Sequence, residues 1–192
     1  MNQRKQLINL VLLALFTGLI FLMGQTPLGL IPLGFCNVTL LVIPVAVGSI
    51  LMGWKNGLVL GAAFAATSLL SALTKPSVLV AALMGASPLL AILMTVLPRL
   101  CIPLVICGVY RLLRHRPRNI AAAFAAACGS LTNTILYLGL MLGFYTICGI
   151  DSSEVLMTIV LVAGGAGPLE ALAAAVITPP VLIALRKIQK AQ

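Results

Sequence analysis

Acidic residues are nearly missing from this chain: Asp151, Glu154 and Glu170 are the only three among 192 residues. Histidine occurs once, as His115, inside a run of arginines. A buried serine–histidine pair therefore has no base to work with. Paired carboxylates at metal-ligand spacing are absent, which argues against metal-assisted transfer chemistry. No GxxxxGK[ST] segment occurs, so the chain has no P-loop with which to hydrolyse ATP. The five cysteines show neither CxxC nor zinc spacing. No cofactor, no metal and no enzymatic activity are expected.

Charge of either sign is scarce too. Only 8% of residues are charged and 61% are hydrophobic, with mean hydropathy +1.19. Such a composition excludes an ordinary water-soluble domain and points to a membrane protein. At about 20 residues per crossing, the length suffices for six helices with short loops and no soluble module. The expectation is a single all-α domain over residues 1–192 with six transmembrane helices.

The apolar runs place the spans near Leu7–Gly24, Val38–Trp54, Leu58–Leu73, Pro88–Tyr110, Ala121–Tyr145 and Glu154–Leu185. Arg4-Lys5 before the first run resembles a signal peptide, yet Met23-Gly24-Gln25-Thr26-Pro27 lacks a small-residue cleavage pattern. The first run is read as an uncleaved span. A Pro/Gly-rich loop covers Thr26–Phe35, and Lys55-Asn56-Gly57 forms a turn. Between the third and fourth spans, Val78–Ala86 is apolar but too short to cross. It is expected to lie over the protein as a lid or a short interfacial helix.

The net charge of +9 is distributed with one bias. With the N-terminus inside, ten of the twelve cations fall on the cytoplasmic side: Arg4, Lys5, Lys55, Arg111, Arg114, Arg116, Arg118, Arg186, Lys187 and Lys190. The outer loops hold Lys75 with Asp151 and Glu154. Six spans with both termini cytoplasmic satisfy the positive-inside rule, and five or seven spoil it.

The remaining charges lie deep in apolar sequence. Arg99 follows Pro98 about eleven residues into the fourth span, roughly 16 Å from its outer end at 1.5 Å per residue. Glu170 lies far into the sixth span, after Gly164-Gly165-Ala166-Gly167-Pro168, a cluster that loosens a helix and frees backbone groups. Ser130-Leu131-Thr132-Asn133-Thr134 brings polar groups to a similar depth in the fifth span. A charge at that depth costs roughly 2.5–3.5 kcal/mol on insertion scales, so it needs a partner or a task. Two readings follow. Arg99, Asn133 and Glu170 form a buried tie between helices, or they line a ligand cavity; both hold if Glu170 orients a guanidinium that grips an anion. At the outer mouth, Asn37 and Thr39 join Thr67, Ser68, Ser71 and Thr74 as a second polar group.

Three blocks carry a family resemblance. PLGFCNVTLLVIPVAVGSILMGWKNGLVLGAAFA (Pro32–Ala65), LPRLCIPLVICGVYRLLR (Leu97–Arg114) and GSLTNTILYLGLMLGFY (Gly129–Tyr145) occur in the order found in energy-coupling-factor (ECF) transporter S components. The chain resembles those substrate-binding subunits over most of its length, with pantothenate-type members closest.

The resemblance implies a six-helix subunit of a prokaryotic cell membrane that captures a vitamin or related micronutrient from outside. It implies a transmembrane coupling protein and two cytosolic ATPases as partners. The family's small-residue patch on the first helix corresponds here to Ala14 and Gly18. The expected substrate contacts are Arg99 for an anionic group, Asn133, Asn37, Thr39 and Ser71 for polar atoms, and Glu170 for Arg99 or a ligand hydroxyl. The alternative is a stand-alone small transporter or scaffold whose polar residues are structural.

Overall fold

Proline and glycine set the breaks in a chain that is otherwise almost continuously helical. A computed structural model describes residues 3–26, 29–32 and 37–190. Helix α1 spans Gln3–Gln25, followed by strands β1 (Leu30–Pro32) and β2 (Asn37–Thr39), then α2 (Val42–Met52) and α3 (Trp54–Thr74). The short α4 (Val78–Ala86) precedes α5 (Pro88–Leu112) and α6 (Arg118–Cys148). Helix α7 (Ser153–Leu161) runs through a π-helical turn (Val162–Ala166) into α8 (Gly167–Lys190).

Four single helices, α1, α3, α5 and α6, are long and apolar enough to cross a bilayer, as is the rod Ser153–Lys187. The expected second span is shorter than Val38–Trp54. Its helix has 11 residues, about 16 Å of length against a hydrocarbon layer of about 30 Å. Upstream of it the chain forms an antiparallel pair with register Leu30↔Thr39, Ile31↔Val38 and Pro32↔Asn37. Two local features explain the difference. Val38 and Thr39 are β-branched and favour extended backbone. Pro44 has no N–H with which to carry the helix back onto the Leu40 carbonyl.

The break between α2 and α3 also differs in place from the expected Lys55-Asn56-Gly57 turn. It falls at Gly53, whose φ of 86° is disfavoured for residues with a Cβ. Lys55 and Asn56 already belong to the first turn of α3. Gly57 serves packing instead, since a Cβ there would lie 2.6 Å from Ser49 Oγ and 3.0 Å from Pro103 Cβ.

Among the described residues, two large apolar cores result, with a smaller contact of Leu138 and Val162 beside them. The first joins Phe16 and Ile20 of α1, Val45 of α2, Leu60 and Phe64 of α3, Ile102 and Ile106 of α5, Ala122, Ala125 and Ala126 of α6, and Leu182 of α8. The second packs Leu79, Val80 and Leu83 of α4 onto Met94 of α5, Met141 and Tyr145 of α6, and Val155 of α7. Along α5 the second core ends at Met94 and the first begins at Ile102; along α6 the first ends at Ala126 and the second begins at Met141. Arg99 and Asn133 lie in those gaps. The polar residues therefore fill a layer between two oily ones.

Candidate substrate-binding site

That layer is hollow. A cavity of about 780 Å³, its open mouth included, is walled by β2, α3, α4, α5, α6, the π turn and α8. Arg99, Asn133, Glu170, Thr39 and Ser71 all line it. Asn37 lies in β2, but its side chain is outside the described part of the protein.

Arg99 is 8% exposed. Its guanidinium carbon stands 5.4 Å from the centre of the Phe64 ring and 4.7 Å from that of Tyr137. Two aromatic faces thus hold the cation where hydrocarbon alone would reject it. Nε and Nη1 are buried and have no hydrogen-bond partner in the protein. Unbonded donors on a buried cation are expensive, so an acceptor entering the cavity is strongly favoured.

The Arg99 backbone is shaped as well. Pro103 stands four residues on and lacks the N–H that would bond the Arg99 carbonyl. Gly61 of α3 fills the approach, for a Cβ there would sit 2.7 Å from that oxygen.

Asn133 is 5% exposed, and its Oδ1 has no partner. Ser68 Oγ in the same cavity is also unbonded. Thr95 lines the wall, but its hydroxyl is satisfied by the Ala91 carbonyl at 2.8 Å.

Glu170 is hydrogen-bonded within the protein. Its Oε1 accepts the Thr39 N–H at 2.6 Å, and Oε2 accepts the Thr134 hydroxyl at 3.4 Å. The carboxylate is therefore bonded to β2 and α6 and not to Nε or Nη1 of Arg99. The two opposite charges nonetheless share one cavity. Thr39 is buried, and its own hydroxyl accepts the Leu41 N–H at 3.3 Å.

Other polar residues of the sequence turn out to serve the fold. Thr132 bonds the Cys128 carbonyl at 2.7 Å, and Thr67 bonds that of Phe64 at 2.9 Å. Among the described residues, no group of His, Cys, Asp or Glu is placed to hold a metal ion. Phe64, Tyr137 and Thr134 had not been assigned to the site. The available signal was spacing: Tyr137 is four residues after Asn133, and Phe64 four before Ser68, so each pair shares a helix face.

Above the cavity, α4 is tied down. The Tyr145 hydroxyl donates to the Leu79 carbonyl at 2.6 Å. Val80 faces the hollow and Leu83 is fully buried, whereas Val78 is 66% exposed. The apolar segment Val78–Ala86 is thus a short helix whose Val80 lines the site.

The sequence model described as "ECF transporter, substrate-specific component" matches residues 8–182. The chain belongs to that family. It is a multi-pass plasma-membrane protein and the substrate-specific subunit of a transporter. A curated relative, the "Pantothenic acid transporter PanT" of Lactococcus lactis subsp. cremoris (strain MG1363), is 29% identical over 108 residues. That match covers 52% of this substrate-specific component and 54% of the relative, so the chain spans about half the relative's length.

Proposed function

We propose that this ECF substrate-specific component captures a small anionic solute of the pantothenate type from outside. It delivers the solute through a transmembrane coupling protein driven by two cytosolic ATPases. The observation that carries the reading is the buried Arg99 side chain, which lines the hollow and leaves its Nε and Nη1 unbonded.

The lining supports the solute class group by group. Arg99 suits a carboxylate, because guanidinium is always charged and its donors are fixed in a plane. Asn133 Oδ1 needs a donor, which a hydroxyl or an amide N–H supplies. Val80, Leu138 and Val162 offer an apolar wall. Pantothenate combines a carboxylate, an amide, hydroxyls and a branched hydrocarbon centre, and the Lactococcus relative bears its name.

With no P-loop in the chain, ATP-driven uptake needs a partner ATPase. Ala14 and Gly18 are exposed on α1, and a Cβ at Gly18 would meet no atom within 4 Å. Small residues on an exposed face let another helix approach closely, which fits the coupling protein. The whole bundle acts as one domain, with the α4 cover outside and the arginine-rich turn between α5 and α6 inside.

The test is equilibrium binding of tritiated pantothenate to the purified protein. Saturable binding displaced by unlabelled pantothenate is expected. Binding that never saturates, or that a neutral amide analogue displaces equally well, contradicts the reading.

A further inference from the structure

We propose that Glu170 is a positioning residue whose carboxylate anchors strand β2 in the cavity wall, rather than a contact for the solute. The warrant begins with the strand pair. A two-stranded sheet leaves the outer edge of each strand without a partner strand. In an antiparallel pair successive residues turn their N–H and C=O groups alternately toward and away from the neighbouring strand. Leu40 N–H donates to the Gly29 carbonyl at 3.1 Å, so Leu40 faces β1 and Thr39 faces away from it. The Thr39 N–H is therefore an edge donor in a buried position. Glu170 Oε1, 131 residues further along the chain, accepts it at 2.6 Å.

The second oxygen is also engaged by the protein. Thr134 Oγ1 shares its single proton between Oε2 at 3.4 Å and the Ser130 carbonyl at 3.3 Å. Arg99 Nε and Nη1, Asn133 Oδ1 and Ser68 Oγ form the contrasting set, buried in the same cavity and unbonded. Ligand-seeking groups and the anchoring group are thus different residues.

The route of the chain explains how Glu170 reaches β2. It stands in the first turn of α8, directly after the π turn Val162–Ala166. One π turn inserts a residue relative to α-helical phase and rotates everything beyond it by about 100°. Gly167 allows the tight join, since a Cβ there would be 3.0 Å from the Val162 carbonyl. The Gly/Pro cluster therefore aims the carboxylate.

Holding β2 keeps Thr39 in the wall and slows solute escape; that consequence rests on the substrate-capture reading, whereas the anchor itself does not. The test is hydrogen–deuterium exchange at the Thr39 amide by NMR, on the full chain in lipid nanodiscs without solute. Glu170→Gln keeps a carbonyl acceptor without the charge, and Glu170→Met keeps the volume without the acceptor. The wild-type amide is expected to be protected, the Gln variant to stay close to it, and the Met variant to exchange at least about tenfold faster. Three results overturn the proposal: a wild-type amide exchanging like an unbonded loop amide, a Met variant as slow as wild type, or a Gln variant as fast as Met. Should the Met variant fail to fold, the wild-type and Gln rates still decide. Tritiated pantothenate release from the Gln and Met variants forms a separate arm. If wild type binds no pantothenate, the substrate reading fails while the exchange result stands.

Discussion

Gly61 and Arg99 touch through their backbones: a side chain at Gly61 would begin 2.7 Å from the Arg99 carbonyl oxygen. This approach lets α3 seat Phe64 against the guanidinium, 5.4 Å from ring centre to carbon. Gly61→Ala gains up to about 1 kcal/mol of helix propensity. It also forces α5 outward against rigid backbone, an overpacking cost of about 1–3 kcal/mol. The clash wins. Thermal unfolding in detergent should show a less stable protein, and pantothenate affinity should fall with it.

The cover helix makes a second prediction. Tyr145→Phe keeps the ring in the outer core and removes only the 2.6 Å bond to the Leu79 carbonyl. The expected cost is about 0.5–1.5 kcal/mol. Amides of α4 should exchange several-fold faster, with those of α5 unchanged, and solute should dissociate faster. Equal protection of α4 in both proteins would contradict the latch.

On α1, Ala14→Trp places a large ring on the exposed face that Gly18 leaves open. Recovery of the coupling protein in a pull-down should drop to background. Pantothenate binding by the isolated subunit should stay within about twofold of wild type, because no described α1 residue lines the cavity.

Outside the membrane, Asp151 bonds the Ser153 backbone N–H and the Ser153 hydroxyl, each at 3.0 Å. The backbone bond first, then the hydroxyl, holds its carboxyl below the usual range. A depressed folded value means the stabilisation is present above the unfolded value of about 3.9 and is lost as pH falls through the folded one. Acidification through that window should loosen the start of α7, as read by amide exchange at Ser153 and Glu154. Asp151→Asn should flatten the pH dependence. The effect is small, because the group is fully exposed.

Much of this organisation was legible in the residues. Arg99 and Glu170 stood out because charge inside apolar runs is costly, and the cavity contains both. Gly164–Pro168 announced a disturbed helix, and the disturbance is the π turn. Val78–Ala86 was too short to cross and forms the short helix α4. Other features depend on contacts that a one-dimensional pattern does not carry. The β1–β2 pair rests on a register between residues on either side of 33–36. Phe64 and Tyr137 read as ordinary apolar positions, since an aromatic facing a cation and one facing lipid look alike in sequence. The Thr39 donor is a backbone group, with no side-chain signature at all. For that reason Glu170 was expected to hold Arg99 or meet a ligand hydroxyl, and its bond to a strand edge was not foreseen.

The account rests most heavily on Arg99, and its side chain gives the most direct measurement. Equilibrium dialysis should compare tritiated pantothenate binding by wild type, Arg99→Lys and Arg99→Met, each verified as a folded, monodisperse protein. Truncating one partner of a buried charge pair costs about 2–5 kcal/mol, roughly 30- to 5,000-fold in affinity. The Met variant should lose that much. Lysine keeps the charge but not the planar guanidinium that meets Phe64 and Tyr137, and should fall between Met and wild type. A Met variant that binds within twofold of wild type would contradict the claim that Arg99 grips the solute.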